Sequence, residues 1–197
     1  MVKTKGATCK TQSQRREETQ QKILDSACRV FGEKGYSNTA LEDIATGAGV
    51  TEGPVYHYFK NKKQLFTKVT EQMEAEFVSD IHALDFSGGD ASLLQIWDVF
   101  LNYCQKPGFV QVVLIDATHI LGRERWQGTA VTTSILNLLG NTSFFTEKNM
   151  GEEEKGLISR MVIAALAEVA LTLGNNPQYD ASHVLRKLIT LFAADKK

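Results

Sequence analysis

The sequence lacks the features of a membrane, secreted or disulfide-stabilised protein. No apolar run approaches the ~20 residues that a helix needs to cross a bilayer. The N-terminal segment is charged and has no apolar stretch of the kind that signal peptides contain. Cys9, Cys28 and Cys104 are an odd set without CxxC spacing, which indicates neither a disulfide framework nor a zinc site. We therefore expect a cytoplasmic protein with no membrane partner and no bound metal.

Local motifs for catalysis are also absent. The sequence contains no Gly-rich phosphate loop, no nucleophile elbow and no cluster of metal ligands, so we expect neither an enzyme nor a cofactor. No stretch alternates apolar and polar residues as a half-buried strand does, and no segment is repeated. Helical patterns separated by Gly and Pro predict an all-α fold of about nine helices.

The net charge of −1 hides an uneven distribution. Up to Phe66 there are 11 Lys and Arg against 7 Asp and Glu, and beyond it there are 11 against 16. A basic N-terminal third joined to an acidic remainder is typical of a DNA-binding module attached to a module that does not bind DNA. Because basic residues are frequent near the start, residues 1–14 are predicted to form a disordered basic arm.

Residues 39–66 read as two short helices around a glycine turn. Four apolar residues recur at the spacing of one helical face: Leu41, Ile44, Ala45 and Ala48. Thr39 and Glu42 have the spacing of a capping box, so this helix is expected to begin at Ala40. Gly49 can adopt the left-handed conformation that ends it.

The second helix of this stretch has aromatic residues on its outer side. Val55 and Phe59 lie four residues apart and face the same core, which leaves Tyr56, His57, Tyr58 and Lys60 on other faces. Asn61 and Gln64 then form a second cap-like pair that opens a further helix. Two helices across a short turn, with polar aromatics on the outside of the second, predict a helix-turn-helix.

The flanking segments complete the predicted organisation. A first helix over 17–34 packs on the motif at 40–59, which gives a three-helix DNA-binding domain over 15–61. A fourth helix over 62–84 leads into a larger helical domain over 62–197. Further helices are expected over 92–105, 109–121, 125–139, 152–173 and 181–194.

Residues 161–173 are apolar on nearly every side. Only Glu168 and Thr172 interrupt the run, which predicts a helix that is buried all round. The last helix is apolar as well. Two such helices near the end of a 197-residue chain favour a subunit interface.

The pattern of the motif agrees in type and spacing, without a gap, with one protein family: Thr39-x-x-Asp43-Ile44-Ala45, Ala48-Gly49-Val50-Thr51, Gly53, Val55-Tyr56-x-Tyr58-Phe59, and Lys62 with Leu65. Over residues 16–66 the chain resembles the TetR family of bacterial transcriptional regulators. The resemblance implies a homodimer held by a four-helix bundle from the last two helices of each subunit. It also implies a palindromic double-stranded DNA operator.

The resemblance places the second helix of the motif in the major groove. The predicted DNA-binding residues are Thr39, Thr51, Glu52, Gly53, Pro54, Tyr56, His57, Tyr58, Lys60 and Lys62. Thr39 and Lys62 are expected to hold phosphates on the two sides of the motif, and Glu52 is expected to face a base edge. Pro54 lacks an amide hydrogen, so the helix could begin at Pro54, which leaves the roles of Glu52 and Gly53 open.

Two alternatives stay open at this face. Tyr56 and Tyr58 could be ordinary core aromatics, although Val55 and Phe59 already fill the inward positions. The lysines at its end could form a solvated face without DNA contacts. His57 is expected near a base edge or a phosphate.

The resemblance also implies that the C-terminal domain binds a small molecule, whose identity the sequence does not give. Asp116, His119 and Arg123 form one polar stripe on an otherwise apolar helix. This stripe is either a polar anchor inside a ligand pocket or a satisfied hydrogen-bond set that orients the helix, and as a metal site it lacks a third ligand. The candidate ligand-binding residues are Trp97, Phe100, Cys104, Asp116, His119, Arg123, Trp126, Met161, Ala165 and Glu168.

Two of these candidates have further interpretations. Cys104 either lines a cavity, carries a reactive thiol or is buried filler. Glu168 either contacts a cationic ligand or pairs with Arg160 or Arg186.

The whole pattern predicts a sequence-specific DNA-binding transcriptional regulator, a repressor that a small-molecule ligand releases from its operator. The alternative is a DNA-binding interaction protein of the same fold, with a protein partner and no small ligand. An apolar core without a cavity would favour the alternative, and a pocket would favour the ligand-responsive repressor.

Overall fold

The computed structural model is helical throughout its regular parts. It describes residues 11–84, 90–122, 130, 131, 133, 134, 137, 151–176, 178–181, 183, 184, 186 and 187. The helical segments with complete bounds are α1 (Gln12–Asn38), α2 (Leu41–Ala48), α3 (Glu52–Phe59), α4 (Lys62–His82), α5 (Asp90–Gln105), a π-helix (Val110–Asp116), α6 (Ala117–Ile120) and α7 (Glu152–Asn175). Within these described ranges no residue is in a β-strand, in agreement with the predicted all-α class.

Helix α1 begins earlier than the sequence predicted, and it contains a kink. The Thr11 hydroxyl accepts a hydrogen bond from the Gln14 N–H at 3.3 Å, and the Gln14 side chain accepts one from the Thr11 N–H at 2.9 Å. Residues 12–14 are therefore helical rather than part of the predicted arm, whose residues 1–10 lie outside the described residues. Gly35 has φ 73° and ψ 163°, a conformation open almost only to glycine, and the helix bends there before its last turn.

A different pair of residues from the predicted one caps α2. The Ala40 N–H donates to the Asp43 carboxylate at 3.2 Å, so Asp43 fills the role expected of Glu42. Thr39 instead stabilises the end of α1, because it is buried and its hydroxyl donates to the carbonyl oxygen of Gly35 at 2.8 Å. Gly49 has φ 68° and ψ 34° and ends α2 as predicted.

Helix α3 begins before Pro54, so the alternative start at Pro54 was wrong. Thr51 is its N-cap and Glu52 its first residue. Pro54 is the third residue of the helix, where a backbone N–H has no partner within the helix and its loss costs little. Val55 and Phe59 are buried, which confirms their predicted inward orientation.

Helix α4 packs on both halves of the molecule. The Asn61 side chain caps it as predicted, accepting from the Gln64 N–H at 2.9 Å. Its inward face is buried along its whole length, and it contacts α1, α3, α5, α6 and the π-helix. Near its far end the Tyr103 hydroxyl of α5 donates to the Asp80 carboxylate at 2.6 Å.

Tyr103 is the centre of the contact between α4 and α5. Its ring lies 5.0 Å from the ring of Phe77 and 5.1 Å from that of Phe109, measured between centroids. Burial and the hydrogen bond to Asp80 raise the pKa of Tyr103 above its usual range, so its hydroxyl stays a donor. Lys106 lies 3.3 Å from the ring centroid and 3.8 Å from Asp80. These contacts make α4 a fixed connector rather than a flexible linker.

The predicted helix over 109–121 is present, but its first part is a π-helix that the sequence did not reveal. It follows a turn at Gly108, where φ is 80°, and continues without a break into α6. Val112 and Val113 are buried. The π-helix contacts α1, α4 and α7, so it lies where the N-terminal and C-terminal parts of the chain meet.

Helix α7 is not buried all round in the single chain, which corrects the prediction. Leu157, Met161 and Leu171 are 52%, 62% and 38% exposed, and Ala165 is exposed as well. Ala170, on the opposite side, is fully buried. A largely apolar face of α7, which also carries Glu168 and Thr172, is therefore open to solvent. None of the described helices is long and apolar enough to cross a membrane.

Two predicted helices fall largely outside the described residues. Of 125–139 and 181–194, the structure describes helical backbone at 130, 131, 133, 134, 137, 183, 184, 186 and 187. The Ser134 hydroxyl lies 3.0 Å from Nε2 of His82, so this part of the chain meets the end of α4. The predicted dimer bundle of the last two helices stays a prediction.

Candidate nucleic-acid interface

One side of α3 projects from the three-helix N-terminal unit. Six exposed residues form this side: the N-cap Thr51, the C-cap Lys60, and, within the helix, Glu52, Gly53, Tyr56 and His57. Residues three and four apart share one side of a helix, so these side chains lie together while Val55 and Phe59 hold the other side in the core. We call these six residues the recognition surface. Such an exposed helix side has the shape and polarity needed to enter the major groove.

The two tyrosines of α3 occupy different places. Tyr56 is 51% exposed, which rules out a position in the core of this chain. Tyr58 is half-buried and lines a shallow cleft between α3 and α4. Its ring centroid lies 5.1 Å from that of His57, in an edge-to-face arrangement. Tyr56 is therefore accessible at the surface, whereas Tyr58 packs edge-to-face against His57.

Lys60 holds the end of the recognition surface in a strained backbone conformation. Its φ is 58°, the one positive φ among the described residues other than glycine. Its N–H donates to the Tyr56 carbonyl oxygen at 2.9 Å, which closes the last turn of α3. Strain of this kind costs about 1–3 kcal/mol and is retained mainly at functional sites.

Lys62 lies beside the recognition surface, against the end of α1. Its Nζ is 4.5 Å from the ring centroid of Tyr36 and 3.4 Å from the carbonyl oxygen of Ser37. Burial lowers the pKa of Lys62, and the carboxylate of Asp116 opposes that shift. Its ammonium group therefore contacts Tyr36 and Ser37 of α1 and also lies near the recognition surface.

Two other residues of the motif have structural roles. Asp43 binds Nζ of Lys34 at 2.9 Å, and the hydrogen bonds from Lys34 and from the Ala40 N–H lower the pKa of Asp43. This pair ties α2 to α1. Thr39 is 3% exposed and directed inward, which does not fit the predicted phosphate contact. Pro54 is half-buried in the first turn of α3.

The predicted ligand-binding residues do not form one cluster. Trp97 and Phe100 are 5% and 3% exposed in the core, with ring centroids 5.8 Å apart. His119 is exposed, and so are the three candidates on α7: Met161, Ala165 and Glu168. Arg123 and Trp126 lie outside the described residues. The described candidates therefore do not line one common pocket.

Asp116 makes a hydrogen bond to α1 whose partner the sequence did not identify. Its carboxylate accepts a hydrogen bond from the backbone N–H of Tyr36 at 2.6 Å, and so it joins the π-helix to α1. Of the two interpretations of the polar stripe, this bond agrees with the satisfied hydrogen-bond set. Within the described ranges, no three His, Cys, Asp or Glu side chains cluster closely enough to hold a metal ion.

Another contact between α1 and the C-terminal part was also missed. Gly32 and Gly108 meet backbone to backbone, and a Cβ atom at Gly32 would lie 2.6 Å from Cα of Gly108. The glycines at 32 and 35 stand one turn apart in α1, but nothing local in the sequence identifies their partners. A cleft beside this contact is lined by Leu24, Cys28, Val69, Gln72, Met73, Glu76, Tyr103, Lys106, Pro107 and Phe109.

Cys104 is expected to be an unreactive thiol. Burial raises the pKa of Cys104 to about 12, which makes the thiolate scarce at neutral pH. We expect native Cys104 to react with iodoacetamide at pH 8 about a thousandfold more slowly than an ordinary exposed thiol. Peptide mass spectrometry over a time course measures this, with the denatured protein as control. Equal rates in the native and denatured protein would contradict the expected protection.

Comparison with known proteins agrees with this geometry. Residues 23–69 match the family model "Bacterial regulatory proteins, tetR family". The HTH-type transcriptional regulator AcrR of Shigella flexneri is 32% identical over 120 residues, which are 51% of this chain and 56% of that protein. A TetR-family transcriptional regulator from Pectobacterium atrosepticum is 25% identical, with a TM-score of 0.60 and 94% of both chains covered.

A further solved structure shows the same fold at lower identity. FadR of Bacillus subtilis, in complex with stearoyl-CoA, has a TM-score of 0.69 at 21% identity, with 87% of this chain and 96% of that chain covered. The match spans only about half the length of the curated relatives AcrR and TetC, at 56% and 44%. The matched residues 23–69 contain the recognition surface and Lys62.

Proposed function

We propose, from the match of residues 23–69 to the tetR family model and the likeness to its solved structures, that the chain is a TetR-family regulator and a sequence-specific DNA-binding transcriptional repressor of the cytoplasm. The observation that carries the proposal is the recognition surface on α3, which is exposed while the opposite side of the helix is buried. We assign DNA binding to residues 15–61, and ligand binding and dimerisation to 62–197.

The proposed repressor acts as a homodimer on a palindromic operator. Two recognition helices that read successive major grooves must stand about one helical turn, ~34–36 Å, apart. The open apolar face of α7, with Met161 and Leu157 at its centre, supplies a surface that a second copy would cover. A symmetric dimer through this face presents one recognition surface to each half-site.

The environment of Trp97 favours the hypothesis that a small-molecule ligand binds in the C-terminal part. Its indole Nε1 is buried and has no hydrogen-bond partner among the described residues. An unsatisfied buried donor costs about 1–3 kcal/mol, so it is a place where a ligand acceptor would be stabilised. This orphaned donor favours a ligand-responsive repressor over a protein-binding regulator without a ligand. FadR of Bacillus subtilis is in complex with stearoyl-CoA in its crystal structure, and a ligand with a carbonyl oxygen, such as that of a thioester, would suit Trp97.

Selection from random duplex DNA tests the core of the proposal. The purified full chain is expected to enrich one palindromic sequence, and footprinting on the DNA beside its gene is expected to show protection of a matching site. Binding that shows no sequence preference, with the same affinity for every duplex, would remove the claim of specific regulation.

Lys62→Ala is expected to weaken binding to all DNA sequences to a similar degree. Loss of one phosphate contact should reduce the slope of log affinity against log salt by about 1. Fluorescence anisotropy over a series of salt concentrations measures both quantities. Lys187→Ala is the matched control, because it removes the same charge from an exposed position in the C-terminal part. An unchanged salt slope in Lys62→Ala would show that this lysine holds no phosphate.

A further inference from the structure

The strongest feature outside the recognition surface is the hydrogen bond between Asp116 and Tyr36. It joins residues 80 positions apart and has the short donor–acceptor distance, 2.6 Å, of a charge-assisted bond. The Tyr36 N–H is free to make it because Gly35, at φ 73° and ψ 163°, turns the backbone out of the helical path. The kink in α1 therefore creates a donor, and the π-helix supplies its acceptor.

Tyr36 connects this bond to the DNA side of the molecule. Its ring stacks on Phe31 at 5.9 Å and meets Phe66 edge-to-face at 5.0 Å, both between centroids. The ammonium of Lys62 lies over the same ring and also contacts the next carbonyl, that of Ser37. A displacement of the backbone at Tyr36 would therefore move the surroundings of the lysine that we assign to a phosphate.

The position of the acceptor depends on the π-helical geometry of its segment. Asp116 is the last residue of the π-helix, in which each turn holds more residues than in an α-helix. Conversion of this segment to α-helix would shift the register by one residue, a rotation of about 100° and a translation of about 1.5 Å. A carboxylate so displaced could not keep a 2.6 Å bond to the Tyr36 N–H.

Gly35 is also crowded by the π-helix itself. A Cβ atom at this position would lie 3.3 Å from Nε2 of Gln111 and 3.5 Å from the Asp116 carboxylate. Two side chains of the π-helix therefore lie against the kink of α1. The contact depends on the absence of a side chain at residue 35 as well as on the carboxylate at 116.

We propose that Asp116 is a positioning residue, which fixes the orientation of the helix-turn-helix unit through the Tyr36 N–H only while residues 110–116 are a π-helix. The proposal rests on the proposed DNA-binding function for its consequence, but the bond itself is independent of it. In the π register Tyr36 and Lys62 are held for DNA binding. In the α register the bond is lost, and with it this link between α1 and the C-terminal part.

The test compares Asp116→Ala and Asp116→Asn with Asp98→Ala, a control that removes an exposed acid from α5. Hydrogen exchange at the Tyr36 amide, measured by NMR on the full chain, reports the bond without DNA. We expect Asp116→Ala to speed this exchange about 10–100-fold, the effect of losing one hydrogen bond to a charged group. Operator affinity should fall roughly 5–150-fold, the range of ordinary coupling between sites. Asp116→Asn keeps an acceptor oxygen, so its Tyr36 exchange rate and its operator affinity should stay close to those of the wild type.

Each result bears on a separate part of the proposal. Unchanged Tyr36 exchange in Asp116→Ala would overturn the bond, whatever happens to DNA binding. Faster exchange with operator affinity equal to that of Asp98→Ala would overturn the positioning role, as would an Asn variant that behaves like the Ala variant. If the wild-type chain selects no operator, the proposed function fails, while the exchange measurement still decides whether Asp116 holds Tyr36.

Gly35→Ala tests the same contact between α1 and the π-helix by a change in α1. It forces a side chain into the space beside Gln111 and Asp116 and into a backbone conformation that alanine avoids. Circular dichroism establishes that the variant is folded. A folded Gly35→Ala protein with fast exchange at residue 36 and weakened operator binding would support the proposal, and one with both quantities at wild-type values would contradict it.

Discussion

Replacing Gly32 by alanine is expected to destabilise the protein by about 3–5 kcal/mol, at the upper end of what a single substitution does. The new Cβ atom would lie 2.6 Å from Cα of Gly108, closer than real Cβ atoms approach other atoms. Both partners are backbone, so no side chain can rotate away, and α1 must separate from the turn before the π-helix. In a chain of this length, the melting temperature should fall by roughly 6–20 °C.

Thermal unfolding followed by circular dichroism measures this loss. Gly53→Ala is the matched control, because the same substitution on α3 would bring the new Cβ no closer than 3.9 Å to another atom, the hydroxyl oxygen of Thr51. The control should stay within about 0.5 kcal/mol of the wild type or gain slightly, since alanine favours helix. A Gly32→Ala protein as stable as this control would show that the two backbones do not touch.

Met161→Glu is expected to dissociate the proposed dimer and to lower operator affinity at least about a hundredfold. Met161 is 62% exposed at the centre of the open face of α7, where a second copy would bury the charge without a partner. A monomer binds one half-site and loses the gain from simultaneous binding of two, which is typically 10²–10⁴-fold.

Light scattering coupled to size-exclusion chromatography measures the mass, and a gel-shift titration measures the affinity. Gln178→Glu is the control, because it adds the same charge at an exposed polar position. A Met161→Glu protein that keeps the mass of a dimer would remove this face of α7 from the interface.

Local signals in the sequence predicted the helix-turn-helix well. The turn at Gly49 and the cap at Asn61 depend on residues a few positions apart, and both are present in the structure. The errors in this region are also local. The cap of α2 is shifted by one residue, so that Asp43 rather than Glu42 accepts the hydrogen bond. Pro54 is accommodated in α3 because the first turn of a helix needs no N–H at that position.

The joint between the two parts of the chain could not be predicted in the same way. The helical spacing of Asp116 and His119 left open a pocket anchor or a satisfied hydrogen-bond set, and it could not identify the partner of Asp116, a backbone N–H 80 residues away beside a kink. The contact between Gly32 and Gly108 is also long-range, and neither glycine carries a side chain to indicate its neighbour. The apolar pattern of α7 predicted both burial and a subunit interface. In the single chain Ala170 is buried while Leu157 and Met161 are exposed, and the interface stays a prediction.

The indole of Trp97 also provides an intrinsic fluorescence probe for ligand binding. The chain contains two tryptophans, and replacing Trp126 by phenylalanine leaves Trp97 as the sole indole emitter. Because its Nε1–H is buried and has no acceptor in the part of the chain that the structure describes, the emission of this single fluorophore should be blue, as in an apolar solvent. A molecule that enters the core and accepts a hydrogen bond from Nε1 is expected to shift the emission to longer wavelength, so compounds can be screened by fluorescence before an operator is known.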